Sequence, residues 1–71
     1  MPVEYEIYRR ISAEAPGNVG YLERQGYQWS DQDRAFVKWR GGNWSTISFE
    51  RVRDCSLAEL EELVARSAST I

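Results

Sequence analysis

Apolar and polar residues alternate at the start of the chain. Tyr5 and Ile7 fall on one side of an extended backbone, and Glu4 and Glu6 fall on the other. A period of two that carries aromatic and β-branched residues is typical of a half-buried strand. The pattern therefore predicts a first strand over residues 3–11.

A short helix is predicted next. The run Ala-Pro-Gly-Asn at residues 15–18 contains strong breakers of regular structure and indicates a loop. Beyond it, Val19 and Leu22 share one helical face, and Gly26 stands where helices commonly end in a left-handed residue. We expect a helix over residues 19–25.

The following segment is aromatic first and polar afterwards. Tyr27 opens it, and the run Ser-Asp-Gln-Asp closes it at residues 30–33. This order indicates a strand that begins near Tyr27 and ends in a turn.

The middle of the chain carries the clearest hairpin signal. Residues 35–40 and 43–53 have the composition of strands, and the Gly-Gly pair between them tolerates the positive φ angles of a type I′ turn. Counting outward from the turn pairs Trp39 with Trp44, a cross-strand aromatic pair that stabilises hairpins. The predicted faces are Val37, Trp39, Trp44 and Thr46 on one side, and Phe36, Lys38, Arg40, Ser45, Ile47 and Phe49 on the other.

The end of the sequence predicts a helix over residues 57–67. Ser56 and Glu59 have the spacing of a capping box, in which each side chain accepts from an unpaired backbone N–H. Glu62 and Arg66 form an oriented i,i+4 pair. The apolar stripe expected to face the core is Leu57, Leu60, Leu63 and Val64.

Together these elements predict a single small α+β domain over residues 1–71. The order is β-(α)-β-β-α, and the simplest arrangement is a three-stranded antiparallel sheet with the C-terminal helix packed on it. The alternative is a small SH3-like barrel with a C-terminal helix.

One segment resembles a known family. Residues 36–41, Phe-Val-Lys-Trp-Arg-Gly, together with Tyr5 upstream and a closing helix, are similar to a chromodomain. The resemblance implies a small barrel and a methyl-lysine cage that would map onto Tyr5 and Trp39. The third cage aromatic of that family would fall near Gly42, which has no ring, so the resemblance supports the barrel alternative and no more.

Composition removes several chemistries. The 71 residues include no His and one Cys, so a Ser-His or Cys-His dyad, a zinc site and an internal disulfide are all excluded. Asp31 with Asp33, or Glu50 with Asp54, could act as paired carboxylates or hold a divalent cation, but a solvated turn or a partner arginine explains them more simply. We therefore expect no enzyme, no catalytic residue, no metal and no cofactor.

Cys55 has two interpretations. It precedes the capping residue of the last helix, where a thiol pKa can be lowered and the sulfur made reactive. It also stands opposite Leu60 at the positions of a hydrophobic staple. The staple is the favoured interpretation, because an unpaired Cys usually behaves as a small apolar residue.

Charge points to the middle of the chain. The formal net charge is −2, yet five basic residues and one acid lie between residues 34 and 53. Cations beside exposed aromatic rings can bind an acidic protein surface or single-stranded nucleic acid. The sequence leaves open whether Trp39 and Trp44 are core or exposed. The predicted binding residues are Lys38, Trp39, Arg40, Trp44, Arg51 and Arg53.

These observations favour a small non-catalytic protein-interaction module, an adaptor, regulator or inhibitor of a larger protein with an acidic surface. Proteins of this size without motifs include inhibitors encoded by phages and mobile elements. The alternative is a nucleic-acid-binding domain that uses the same basic-aromatic hairpin, and homodimerisation could accompany either role. The first residues lack an apolar signal region and no apolar run is long enough to span a membrane, so we expect a cytoplasmic protein.

Overall fold

The computed structural model describes residues 6–69, which form four helices and one sheet of three strands. The helices are α1 (Glu6–Glu14), α2 (Pro16–Arg24), α3 (Phe49–Asp54) and α4 (Leu57–Ser69). The strands are β1 (Gln28–Ser30), β2 (Ala35–Trp39) and β3 (Trp44–Ser48), antiparallel in the order β1-β2-β3. The predicted α+β class is confirmed. The sheet is open, so the barrel alternative is wrong.

The predicted first strand is wrong where the structure describes it, because residues 6–14 form helix α1. From Ile7 onward the apolar spacing is helical: Ile7, Tyr8 and Ile11 fall on one face, and Ile11 is buried. The remainder of that predicted strand, Val3 to Tyr5, lies outside the described residues. The third strand of the sheet is instead β1, in the segment that opens at Tyr27.

Helix α2 starts earlier than expected. Only Ala15 separates it from α1, so the breakers at residues 16–18 are helical and not a loop. Pro16 fits because the first position of a helix needs neither an N–H donor nor a flexible φ. The predicted end is confirmed, since Gly26 has a φ of 92° immediately after the last turn.

The hairpin has the predicted register, with Trp39 opposite Trp44 and Phe36 opposite Ile47. The turn is closed by the N–H of Arg40, which donates to the carbonyl of Asn43 at 2.8 Å. The second strand ends at Ser48 and not at residue 53, because β2 has no residues left to pair with it.

The chain therefore turns into α3 after Ser48. The Ser48 hydroxyl caps this helix by accepting from the N–H of Arg51. Val52 is fully buried beneath it. Arg51 and Arg53 consequently lie on a helix, and not on the hairpin strand predicted for them.

Helix α4 carries the predicted capping box. The N–H of Ser56 donates to Glu59 at 2.8 Å, and the N–H of Glu59 donates to the Ser56 hydroxyl at 3.2 Å. Leu60 and Val64 are buried as expected, whereas Leu57 is 41% exposed and contributes little to the core. The helix packs against α2.

One core joins the helices to the inner face of the sheet. A buried asparagine ties two of the helices together: the Asn18 amide in α2 donates to the carbonyls of Val52 and Cys55, both at 2.8 Å. The apolar members of the core are Ile11, Val19, Leu22, Tyr27, Phe36, Ile47, Val52, Leu60 and Val64. The helices of the described part of the chain cover the face that carries Phe36 and Ile47, and they leave most of the opposite face of the sheet exposed.

Candidate functional site

We call the uncovered side of the sheet the outer sheet face. Its side chains alternate with the buried Phe36 and Ile47, and none of them is charged. Trp39 is 55% exposed and Trp44 is 63% exposed, which settles that the two rings lie outside the core. The residues of this face are Gln28, Ser30, Ala35, Val37, Trp39, Trp44, Thr46 and Ser48, of which Ala35 is buried.

The two tryptophans form a preassembled pair. Their ring centroids are 5.2 Å apart with planes inclined by 65°, an edge-to-face arrangement. In an antiparallel sheet, directly opposed residues alternate between hydrogen-bonded and non-hydrogen-bonded pairs. Backbone hydrogen bonds join Arg40 to Asn43 and Phe49 to Arg34. The pair next to Arg40 and Asn43, Trp39 and Trp44, is therefore a non-hydrogen-bonded pair. Side chains at such positions approach most closely, which explains the contact between the rings.

Two shallow depressions open on this face and share Val37 and Trp44. One has a volume of about 600 Å³ and extends toward Asp33 in the β1–β2 turn. The other has a volume of about 270 Å³ and extends to Lys38. The remaining lining residues are Ser30 and Thr46 in the first, and Gly26, Gln28 and Trp39 in the second. A cation therefore borders the tryptophan pair, at the end of the sheet near the hairpin turn.

Lys38 and Arg40 are held by Tyr27 on the helix side of the sheet. Each cation lies 5.9 Å from the centroid of the buried Tyr27 ring. The Lys38 ammonium donates to the Gln25 carbonyl at 2.6 Å, and Arg40 donates to the Tyr27 hydroxyl at 3.3 Å. The Tyr27 hydroxyl is in turn 2.9 Å from the Ser45 hydroxyl on β3. Neither cation has a carboxylate partner within the described part of the chain.

Arg51 and Arg53 lie at the other end of β3. Arg53 binds Asp54 at 2.8 Å, and its guanidinium lies 5.6 Å from the centre of the Phe49 ring. The hydrogen bond from Arg53 holds the pKa of Asp54 below its usual value, and the same bond raises the pKa of Arg53. A further cation, Arg34, lies 5.1 Å from the centre of the same ring.

The structure thus separates the predicted binding residues into two groups. Near the hairpin turn, Trp39 and Trp44 lie on the outer sheet face and Lys38 and Arg40 lie on the opposite side of the sheet. Arg51 and Arg53 lie on α3 beyond the far end of β3. Tyr27, which positions the two cations, was not among the predicted binding residues. The register of β1 and β2 could have indicated this role. Gln28 pairs with Val37, so the preceding residue, Tyr27, comes opposite Lys38.

Other candidate chemistry remains dispersed. Cys55 is half-buried and its backbone is engaged by Arg51 and Asn18. Asp33 accepts from the Ser30 hydroxyl at 2.9 Å, as an ordinary turn carboxylate does. Residues 6–69 contain no group of three His, Cys, Asp or Glu side chains that could hold a metal ion. No helix in the same range is both long and apolar enough to cross a membrane.

Comparison with protein-family models, curated proteins and solved structures gives no match to this chain.

Proposed function

We propose that this domain is a non-catalytic protein-interaction module, an adaptor, regulator or inhibitor that docks onto a larger protein through the outer sheet face. The observation that carries the proposal is the exposed Trp39–Trp44 pair. Tryptophan is the residue type most enriched among those that dominate binding energy at protein interfaces. The rest of the face is uncharged, as the centre of an interface usually is.

The exposed part of the two rings is large enough to drive binding. A tryptophan can bury roughly 150–250 Å² of surface, so about 100 Å² of each ring remains available to a partner. At about 25 cal/mol per Å², covering that surface contributes about 2.5 kcal/mol per ring. This magnitude reaches the range of a binding hot spot, which is about 2 kcal/mol or more.

The charges around the face favour a partner with an acidic surface. Lys38 and Arg40 are fixed near the tryptophan pair without a carboxylate partner among the described residues. Opposite charge on a partner would steer its approach and set its orientation. A similar surface could bind single-stranded nucleic acid, since aromatic rings beside cations form stacking platforms. The net charge of −2 and the packing of the two rings against each other favour a protein.

Affinity capture from a lysate of the native host, with and without nuclease, tests the proposal. The wild-type chain is compared with a double variant, Trp39→Ala with Trp44→Ala, and with Leu57→Ala as a matched control. Leu57 is also an exposed apolar residue but lies on α4. We expect a discrete protein that survives nuclease, is captured by the wild type and the control, and is lost with the double variant.

Two outcomes contradict the proposal. If all three proteins captured the partner equally, the docking surface would lie outside the outer sheet face. Loss of all bound material after nuclease, with binding that weakens steeply as salt rises, would assign the surface to nucleic acid.

A further inference from the structure

Strand β3 has a free edge next to the outer sheet face. It is the last strand in the order β1-β2-β3, so among residues 6–69 only one side of it is paired. The N–H of Phe49 donates to the carbonyl of Arg34, and the N–H of Arg40 donates to the carbonyl of Asn43. Because backbone groups alternate in direction along a strand, the groups of β3 that bond to β2 belong to its odd-numbered residues. The N–H and carbonyl groups of Trp44, Thr46 and Ser48 therefore point away from β2.

This edge lacks the usual protection against strand addition. Soluble proteins commonly place charged residues, proline or a bulge on an exposed edge strand. The sequence of β3, Trp-Ser-Thr-Ile-Ser, has no charge and no proline, and its pairing with β2 runs without a bulge. The opposite edge, β1, is only three residues long. β3 is accordingly the better edge for accepting another strand.

Cations lie near both ends of β3, on the helix side of the sheet at its hairpin end. At the hairpin end, Arg40 donates to the Tyr27 hydroxyl, which in turn lies 2.9 Å from the Ser45 hydroxyl, so the guanidinium is near the helix-side face of β3. At the other end, the Arg34 guanidinium lies 5.1 Å from the centre of the Phe49 ring. Neither arginine has a carboxylate partner in residues 6–69.

From this juxtaposition we infer that the partner adds an extended acidic segment as a fourth strand on β3. The inference rests on the proposed function and names the part of the partner that binds. Ser45 lies in β3, and Phe49, the first residue of α3, follows four residues later, a distance of about 14 Å along an extended backbone. Acidic residues four positions apart in the added strand would share one side and reach Arg40 and Arg34. Alternate residues would point to the outer sheet face, where an apolar side chain contacts Trp44.

A second copy of this chain fits the edge poorly. Antiparallel pairing of two β3 strands about Thr46 would place the Arg40 end of one copy against the Arg34 end of the other. Like charges directly opposite each other destabilise a sheet. The same cations attract an acidic segment, so charge favours a different partner over self-association.

A random peptide library selected on the full chain tests the inference. Enriched peptides should carry two acidic residues four positions apart with an apolar residue between them. A selected peptide should shift the backbone amide resonances of residues 44–48 in NMR spectra. Methylating alternate backbone nitrogens of that peptide, which removes strand hydrogen bonds and leaves its charge intact, should abolish binding. Replacing its two acids with lysine should abolish binding as well.

Matched protein variants separate edge binding from docking on the tryptophans. Thr46→Pro removes an edge N–H that β2 does not use, in a position where edge strands tolerate proline. Thr46→Pro should abolish peptide binding. Capture of the cellular partner should be lost separately, with Trp39→Ala and Trp44→Ala. Arg34→Gln and Arg40→Gln should each weaken peptide binding by up to about fivefold, the range of exposed ion pairs. Circular dichroism of each variant checks that the fold is retained.

Three results would overturn the inference. They are a library that yields no binder, enriched peptides without paired acids, and resonance shifts that avoid residues 44–48. If any of these results is found but Trp39→Ala and Trp44→Ala still abolish capture of the cellular partner, the proposed function stands. Only the addition of a strand to β3 is then refuted.

Discussion

Trp39 and Trp44 face each other across the hairpin, edge to face with ring centroids 5.2 Å apart, on the side of the sheet that none of the four described helices covers. The ladder beneath them sets this geometry, because the two residues form a pair at which side chains approach closely. Two large apolar rings are therefore packed against each other at a solvent-facing position. A partner that buries them would not need to order them first.

Removing one ring should cost little stability. Trp44→Ala loses an aromatic pair worth about 0.5–1.5 kcal/mol, since Trp44 fills no part of the core. Phe36→Ala, on the neighbouring strand but fully buried, should cost about 3–5 kcal/mol. Urea unfolding of the two variants measures the difference. Equal losses would show that the tryptophan pair is part of the structural core.

Local patterns predicted the hairpin and the last helix because they are specified by residues close in sequence. A turn between two short strands sets the pairing of Trp39 with Trp44, and a capping box marks the start of α4. The first helix was missed because alternation up to Ile7 suggested a strand, whereas packing of Tyr8 and Ile11 on the core favours the helical period that begins there. The first segment carries both an alternating and a helical pattern of apolar residues, and contacts with the core favour the helix.

The buried Asn18 amide should be important for stability. Replacing it with alanine leaves the carbonyls of Val52 and Cys55 without this donor, and an unsatisfied buried group costs about 1–3 kcal/mol. Asn43→Ala is a matched control, since Asn43 is exposed and supplies only its backbone carbonyl to the turn. Thermal unfolding should separate the two variants. A loss for Asn18→Ala no larger than for Asn43→Ala would contradict the role assigned to this amide.

The second turn glycine should not tolerate a side chain. Gly42 has a φ of 129°, outside the range that other residues adopt readily. Gly42→Ala should therefore destabilise the domain by about 1–3 kcal/mol. Gly17→Ala, in the first turn of α2 where an added Cβ meets nothing within 4 Å, should be neutral or stabilising by up to about 1 kcal/mol. Chemical denaturation of both variants checks the contrast, and an equal effect would refute it.

The phenol of Tyr8 should titrate above its ordinary value of about 10. Its hydroxyl donates to the Glu23 carboxylate, and this bond raises the pKa of Tyr8. Because the folded pKa is the higher one, the stabilising contribution is complete below about pH 10 and is lost as the pH rises through the folded pKa. Carbon-13 NMR of the tyrosine rings measures the titration. Glu23→Gln should lower the Tyr8 value, and no change would contradict the assignment.

The candidate site was only partly predictable. The hairpin register placed Trp39 and Trp44 on one face, but which face the helices cover depends on the position of α1 and α2. Arg51 and Arg53 were grouped with the hairpin because the strand pattern continued through them. The short length of β2 ends the pairing at Ser48 and moves both residues onto α3.

The most direct test of the docking surface is the dissociation constant of the captured partner, measured by calorimetry for Trp44→Ala and Leu57→Ala. Both variants remove an exposed apolar side chain, but only Trp44 belongs to the outer sheet face. We predict that Trp44→Ala weakens binding by about 30-fold or more, the effect of losing about 2 kcal/mol, and that Leu57→Ala stays within about twofold of the wild type. Equal affinities of the two variants would contradict docking through the outer sheet face.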